Sequence, residues 1–163
     1  MIRLGEKTDR IKIVEMRNKL QTHVEKSNPY IWRLTEEGRK NIPSNINEFL
    51  DNSDSVVFIY EEFGNVIGYI DGIIRVRTTL FPPVVGQIGT MFVEESHRRK
   101  GIGKNLVRKI CSHFEEKGVD EVNLRYVIGN KEAESFWLSL GLRPVIRTAL
   151  VNFKEIMSNL EET

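Results

Sequence analysis

The sequence predicts a single α/β domain built on one mixed sheet, and three observations support this prediction. Strand-like runs and helical periodicities alternate along the chain, as they do in α/β and α+β folds. Two β-branched and aromatic runs are joined by a short turn at Phe63-Gly64-Asn65, which is typical of an antiparallel hairpin. The 163 residues contain no internal repeat, no low-complexity tract and no linker, so we expect one domain over 1–163.

Before residue 55 the elements are short. A strand is predicted at 2–4, and a helix opens near Thr8 or Asp9. Its apolar positions are Ile11, Val14, Leu20 and Val24. The segment 27–52 mixes aromatic residues and prolines with charge, which indicates irregular structure and short helices, one of them capped by Ser44.

The middle of the chain is rich in strands. The hairpin runs through 55–62 and 66–78, and a third strand follows at 84–93. The end of that strand, Met91-Phe92-Val93, is continuously apolar, as expected for a central strand that is covered on both faces.

The clearest helix begins after this strand. Its apolar stripe recurs every four residues and consists of Ile102, Leu106, Ile110 and Phe114. Gly118 ends this helix, a strand is predicted at 121–127, and a short helix runs from about Asn130 to Leu140. The remaining stretch, LRPVIRTALVNFKEI, predicts one or two final strands.

Composition and charge restrict the function. With 40% hydrophobic and 29% charged residues the chain can bury a core, and its net charge of +1 argues against a strongly basic nucleic-acid binder. There is no apolar stretch near the roughly 18 residues of a membrane span and no apolar signal-peptide core, so we expect a cytoplasmic protein. Cys111 is the single cysteine and His23, His97 and His113 are scattered, so no metal site is expected.

A basic loop, HRRKGIGKNL at 97–106, places four cations around two glycines where the helix begins. These cations are Arg98, Arg99, Lys100 and Lys104. Cations are mildly unfavourable at the positive end of a helix, so their presence indicates that the loop binds an anion, with a solvated surface as the simpler alternative.

The spacing in the basic loop excludes two common phosphate motifs. A nucleotide P-loop would need Gly at Arg98 and Ser or Thr at Asn105, and the dinucleotide fingerprint would need Gly at Leu106. The remaining pattern suits a pyrophosphate, because Gly101 and Gly103 allow backbone N–H groups to approach phosphate oxygens closely.

Two motifs together resemble one family. VEESHRRKGIGKNL at 93–106 resembles motif A of the GNAT superfamily of acyl-CoA-dependent N-acetyltransferases, and NKEAESFWLSLGL at 130–142 resembles its second motif. The resemblance implies a mixed, mostly antiparallel sheet with a splayed central strand pair, flanked by helices. It also implies that 1–54 forms the N-terminal strand and the acceptor-side helices, while 84–142 forms the acetyl-CoA-binding core.

The resemblance assigns roles to particular residues. The backbone of three strand residues is expected to pair with the pantetheine arm: Met91, Phe92 and Val93. Seven loop residues are expected to hold the pyrophosphate: Arg98, Arg99, Lys100, Gly101, Ile102, Gly103 and Lys104. Asn130 is expected to bond the pantetheine chain, and Phe136 and Trp137 to flank the thioester. Asn130 is equally suited to cap a helix, and the two aromatic residues also suit a core.

The catalytic groups depart from the family pattern. Trp137 stands where the family often has a Tyr that acts as the general acid on the departing thiolate. An indole N–H donates a hydrogen bond but cannot transfer its proton in any accessible pH range. Gln87 stands where other members have a carboxylate. We therefore expect direct attack by a neutral amine, with the proton passing through water to Tyr126 or Asp71, or less favourably to Glu61 or Glu62 at the hairpin turn.

The predicted function is transfer of an acetyl group from acetyl-CoA to a primary amine. The resembled family usually shapes its acceptor pocket from the segment matching 23–50, which here carries Tyr30, Trp32, Glu36 and Glu37. An acetyl-CoA sensor without turnover is the alternative, and a nucleic-acid binder ranks third. The resemblance allows a homodimer formed through the closing VIRTALVNF.

Overall fold

A computed structural model describes residues 1–31 and 33–161 of the chain. Its strands are β1 (Ile2–Leu4), β2 (Ser55–Glu62), β3 (Asn65–Val76), β4 (Val84–Val93) and β5 (Glu121–Leu124). Its helices are α1 (Arg10–Ser27), α2 (Glu36–Lys40), α3 (Ile42–Asp51), α4 (Ile102–Glu116), α5 (Lys131–Ser139) and α6 (Phe153–Glu161). Short 3₁₀ turns at Lys7–Asp9 and Glu95–His97 precede α1 and the basic loop.

The five strands form one sheet in the order β1-β2-β3-β4-β5. The first three pairs are antiparallel, and β4 and β5 are parallel. The predicted hairpin is present, with Phe63 and Gly64 at positive φ in its turn. The predicted fold, an α/β domain with a mixed and mostly antiparallel sheet flanked by helices, is confirmed.

Each face of the sheet carries its own core. On one face, α4 packs the stripe that its sequence predicts, because Ile102, Leu106, Ile110 and Phe114 are all buried there. The other face packs against α1 through a second buried cluster: Ile13, Met16, Val57, Ile59, Tyr69 and Phe92. The two faces of the sheet therefore have different packing partners and can serve different functions.

Glycines bring α4 close to the strands. A Cβ at Gly86 would lie 2.5 Å from Phe114 Cδ2, and a Cβ at Gly72 would lie 2.7 Å from Ile110 Cδ1. Any side chain at these two positions would push α4 off the sheet, so close packing of the helix depends on both glycines.

Three local predictions are wrong. Ser44 does not cap a helix, because α3 already begins at Ile42 and Ser44 lies inside its first turn. The strand predicted at 121–127 ends at Leu124, where the chain leaves β4. The final strands are absent from the described residues: 142–152 has no regular structure and α6 follows, with the Asn152 side chain accepting the amide of Lys154 at 3.0 Å. β-branched residues form a strand only where a partner strand pairs with them.

None of the helices in the described ranges combines the length and apolar character that a bilayer crossing requires.

Asp9 fixes the start of the chain to the sheet. Its carboxylate accepts two hydrogen bonds from Arg3, at 2.7 and 2.8 Å, and one from the amide of Glu6 at 2.8 Å. Arg3 also donates to Glu61 of β2 at 2.8 Å. The hydrogen bonds from Arg3 are the largest cause that holds the pKa of Asp9 below its ordinary value of 3.8, against the opposing effect of burial.

We predict that Asp9→Asn lowers the free energy of unfolding at pH 7 by about 2 kcal/mol, because it removes the charge that Arg3 faces. The folded-state pKa is depressed, so this stabilisation is complete above the ordinary value of 3.8 and is lost as the pH falls through the lowered pKa. Urea unfolding at a series of pH values measures it. Asp51→Asn is the matched control, since its ion pair with Lys7 is exposed; an equal loss in both variants would contradict the prediction.

Candidate functional site

The sheet opens between β4 and β5. The two strands pair only from Val85 with Glu121 to Ile88 with Leu124. Beyond this point β4 continues to Val93, still paired with β3, while the chain after Leu124 leaves the sheet. We call the space between 89–93 and 125–130 the β4–β5 gap; it corresponds to the splayed strand pair that the family resemblance implies.

Backbone groups of β4 point into this gap. The amide of Glu94 donates to Ile67 O at 2.9 Å, so Glu94 and Ile67 are a hydrogen-bonded pair. Because such pairs alternate along an antiparallel ladder, Val93 and Met91 direct their amides and carbonyls away from β3, toward the β4–β5 gap. Phe92 directs its own toward β3. Of the three residues that the resemblance assigns to the pantetheine arm, Met91 and Val93 therefore direct backbone groups toward the gap and Phe92 does not.

The basic loop presents a run of free amides beside the gap. Across the described parts of the chain, no protein atom accepts a hydrogen bond from the backbone N–H groups of 99–104. Arg99 (φ 61°) and Gly101 (φ 80°) both adopt left-handed conformations, which turn successive amides toward one side. A concave set of amides at a helix N-terminus is the arrangement that binds phosphate.

The cations of the basic loop divide into two groups. Arg99, Lys100 and Lys104 are exposed and free to contact an anion. Arg98 is already engaged, because its Nε donates to Val93 O at 3.0 Å and its Nη1 to Glu132 of α5 at 3.1 Å. The resemblance assigns Arg98 to the pyrophosphate, and in this structure Arg98 bridges β4 to α5.

The start of α4 meets α5 at the edge of the gap. A Cβ on Gly103 would lie 3.3 Å from Phe136 Cε2 and 3.6 Å from Met91 Cε, so this glycine allows the close approach. Trp137 is buried in the core on the α4 side, and its ring is perpendicular to that of Phe136 at 4.9 Å. Its position is that of a core side chain.

Asn130 caps α5. Its Oδ1 accepts the amide of Ala133 at 3.2 Å, and the residue is 7% exposed. The side-chain amide donates to no protein group in 1–31 and 33–161, so its N–H groups are available to a ligand. The two sequence interpretations of Asn130, helix cap and ligand contact, are therefore compatible.

A carboxylate lies at the root of the gap on the α1 side. Asp71 Oδ1 accepts the amide of Thr90 at 2.7 Å, and a side chain at position 89 would collide with it, so Gly89 makes the room. Asp71 remains partly accessible to solvent although protein surrounds it. Asp71 is thus a carboxylate on β3, whereas β4 carries the neutral Gln87.

Burial raises the pKa of Asp71 from 3.8 to about 6, against the opposing effects of the Thr90 amide and the charge of Arg17. A carboxylate with this pKa is mostly ionised at pH 7 and is a better proton acceptor than an exposed one. The neighbouring Tyr69 is 1% exposed, and its burial raises the pKa of the phenol, so Tyr69 stays protonated and cannot act as a base.

Sequence reasoning missed Arg17 and Thr90. Arg17 of α1 donates to Thr90 Oγ1, which ties the helix to β4 beside Asp71. No signal in the sequence links residues that are 73 positions apart. Farther along α1, Gln21 is buried and donates to Glu25 at 2.9 Å, and Glu25 also accepts from Arg39 at 3.1 Å. This side of the gap is therefore polar.

The other predicted bases lie elsewhere. Tyr126 packs with the core on the α4 side, so the structure does not bring it together with Asp71. Glu61 is held by Arg3, and Glu62 Oε2 lies 3.6 Å from His97 Nε2 near the hairpin turn.

Of the expected acceptor-side residues, Tyr30 is exposed, Glu36 and Glu37 form the first turn of α2, and Trp32 lies outside the described residues. Among the residues described there is no cluster of three His, Cys, Asp or Glu that could hold a metal ion.

Solved structures share this fold. A tetramutant of the BH1408 protein from Bacillus halodurans is 24% identical, with a TM-score of 0.82 over 94% of this chain and 99% of that one. The aminoglycoside N-acetyltransferase AAC(6')-Iy in complex with CoA is 20% identical, with a TM-score of 0.72 over 93% of this chain and 98% of that one. A transcriptional regulator from Bacillus halodurans C-125 is 16% identical, with a TM-score of 0.71 over 94% and 99%. At these identities the likeness establishes the fold alone.

No protein with a curated description matches the sequence. The model of the acetyltransferase (GNAT) family matches residues 17–142, a range that contains the second part of α1, the β4–β5 gap, the basic loop and α5. Because this match spans most of the chain and includes both predicted motifs, the protein belongs to the acetyltransferase (GNAT) family.

Proposed function

We propose that the protein transfers an acetyl group from acetyl-CoA to a primary amine. The observation that carries the proposal is the run of unpaired amides at 99–104, beside exposed cations and a strand with free backbone groups. A molecule with a diphosphate at one end and an amide-containing arm at the other fits both features. The family match, and the CoA complex of the similar aminoglycoside N-acetyltransferase, also support it.

The chain's own groups have distinct tasks in this proposal. Amides of the basic loop, with Lys100 and Lys104, bind the diphosphate, and Met91 and Val93 pair with the pantetheine arm. A neutral amine attacks the thioester carbonyl of acetyl-CoA directly, so that the new C–N bond forms, the C–S bond breaks and CoA leaves as the thiolate. The amide of Val93 points into the gap, where it can stabilise the charge that develops on the carbonyl oxygen. Asn130 and Phe136 line the α5 side of the same gap.

Asp71 accepts the proton of the amine, directly or through one water. It lies on the α1 side of the sheet, where the acceptor approaches, whereas Tyr126 lies on the other side with the donor. Arg17 and Thr90 position Asp71. The remaining expectations, a cytoplasmic location and a homodimer, stay predictions.

The diphosphate assignment is tested by charge reversal. We predict that Lys100→Glu and Lys104→Glu each weaken CoA binding by about tenfold, because each replaces an attraction to phosphate with a repulsion. Gly101→Val abolishes binding, since a β-branched residue resists the φ of 80° at that position, although its Cβ would meet nothing within 4 Å. Calorimetric titration measures all three.

Two controls define the outcome. Lys117→Glu reverses an equivalent charge at the far end of α4 and leaves the affinity for CoA unchanged. Pantetheine, which has no phosphate, binds the wild-type protein and the lysine variants equally. An unchanged affinity for CoA in the loop variants, with the fold intact by circular dichroism, would show that the diphosphate lies elsewhere.

The proton acceptor is tested by pH. The carboxylate must be ionised to accept a proton, so we predict that kcat/KM rises with pH through about 6. Asp71→Asn lowers kcat by about a hundredfold and removes that limb of the profile. Asp54→Asn, at an exposed turn, is the control and changes neither. Thiol release from acetyl-CoA with a panel of amines is the assay.

Asp71→Asn, which lowers activity, is expected to raise the stability of the folded protein. Because the folded-state pKa of Asp71 lies above its ordinary value of 3.8, the folded protein becomes less stable as the pH rises from about 4 to about 6. Asp71→Asn removes this penalty, so we predict a higher melting temperature than wild type at pH 8 and little difference at pH 4. A melting temperature lowered equally at both pH values would indicate a structural role only.

A sensor that binds acetyl-CoA without turnover is the second candidate. One observation favours it: the buried Trp137 occupies the position at which the family often has a Tyr as general acid. A structural neighbour described as a transcriptional regulator has the same fold. Tight CoA binding without thiol release on any amine would support the sensor over the enzyme.

A further inference from the structure

The α1 side of the candidate site carries a guanidinium group without an ion-pair partner. Arg17 of α1 donates a hydrogen bond to Thr90 Oγ1, and no carboxylate within 1–31 and 33–161 forms an ion pair with it. Its side chain is only partly exposed, although a half-buried arginine is normally paired. Most of its five N–H donors are therefore free to bind an anionic group that comes from outside the chain.

Arg17 and Asp71 contact the same residue without contacting each other. Asp71 Oδ1 accepts the amide of Thr90 at 2.7 Å, while Arg17 donates to the hydroxyl group of that threonine. Two hydrogen bonds and the width of one threonine put the two charged groups on the order of 6 Å apart. An amine and a carboxylate that are joined through one carbon atom span this distance, with one hydrogen bond at each end.

The β4–β5 gap gives a substrate access to this pair of groups. Gly89 of β4 is exposed, and a side chain at its position would collide with Asp71. Because Gly89 has no side chain, the Asp71 carboxylate is reachable from the gap, where the amide of Val93 also points. An amine bound at Asp71 is therefore on the path to the acyl donor.

Arg125 adds a second free cation on the same side. Past its end β5 keeps its alternation, because three residues pack on the α4 side: Val122, Leu124 and Tyr126. Arg125 therefore lies on the α1 side, next to the β4–β5 gap. It is exposed, and no residue in the described part of the chain forms a hydrogen bond or ion pair with it.

The carboxylates on this side are already neutralised. Glu25 of α1 accepts hydrogen bonds from Gln21 at 2.9 Å and from Arg39 at 3.1 Å. Glu94, which follows β4, accepts from Lys19 at 2.9 Å. A polycationic acceptor needs several unpaired carboxylates, whereas the unpaired charges beside Asp71 are positive.

We propose that the acceptor carries a carboxylate next to its amine, as an α-amino acid does, and that Arg17 binds this carboxylate while the amine lies at Asp71. The inference rests on the proposed acetyl transfer and names its acceptor. The amine nitrogen forms the new C–N bond and passes a proton to Asp71, and CoA leaves as the thiolate when the C–S bond breaks. The products are an N-acetyl amino acid and CoA.

Matched acceptors test the proposal at one fixed pH. The probes are the standard α-amino acids, their carboxamides, the corresponding amines without a carboxylate, and spermidine, a polycation that the exposed Glu36 and Glu37 would favour. Thiol release from acetyl-CoA measures kcat/KM for each probe. We expect the preferred amino acid to exceed its own carboxamide at least about tenfold, because the carboxamide leaves the guanidinium unpaired.

Substitution of Arg17 separates binding of the carboxylate from positioning of Asp71. Arg17→Gln lowers the ratio of kcat/KM for amino acid over carboxamide by at least about tenfold, mainly through KM, and Arg17→Lys restores part of it. A role in positioning Asp71 alone would lower kcat for both acceptors and leave the ratio unchanged. Lys26→Gln is the control, because Lys26 is exposed and faces the opposite side of α1, about two and a half turns farther along.

Binding without turnover distinguishes failure of this inference from failure of acetyl transfer. Calorimetric titration of the CoA complex with the same amino acids is expected to show binding that Arg17→Gln weakens about tenfold. This result without thiol release would support the acceptor class and contradict acetyl transfer. Acetylation of amines with no preference for a carboxylate, or with spermidine preferred to every amino acid, would overturn the acceptor class alone. Neither turnover nor binding of any amino acid would also overturn it.

Discussion

The candidate site exists because β4 is longer than its pairing with β5. β4 remains fixed along its whole length by β3, while β5 ends at Leu124, so the backbone groups of Met91 and the amide of Val93 are held rigid without a partner among the described residues, and Val93 O is engaged by Arg98 alone. In a closed sheet these groups would be satisfied, and in a loose loop they would be satisfied by water at variable positions. Everything else in the site lies around this opening: the basic loop at its end, α5 along one side and Asp71 at its root.

The two faces of the sheet give the two halves of the candidate site different chemical groups. The α4 face presents free amides and cations, which suit a phosphorylated donor. The α1 face presents Asp71 with Arg17 and Thr90, in a setting that weakens the acid enough to accept a proton near neutral pH. The sheet keeps the exposed cations of the basic loop away from Asp71, so neither set neutralises the other.

Local sequence signals predicted most of the fold and the position of the basic loop at the start of α4. The α4 stripe, the hairpin turn and the spacing of Gly101 and Gly103 are short-range patterns, and the structure places all of them as expected. The acceptor half depends on contacts between distant segments, such as Arg17 with Thr90, which no local pattern encodes. The predicted final strands are absent for a related reason: β-branched residues form a strand only where they pair with a partner strand, and 142–152 pairs with none of the described strands.

Arg98 gives the site a property that its charge alone does not suggest. It clamps the end of β4 to α5, through Val93 and Glu132, before any substrate arrives. The acyl donor would therefore enter a cleft that is already assembled, and little of its binding free energy would be spent on ordering the protein. Arg98, which its sequence position suggests as a ligand contact, therefore also preorganises the cleft.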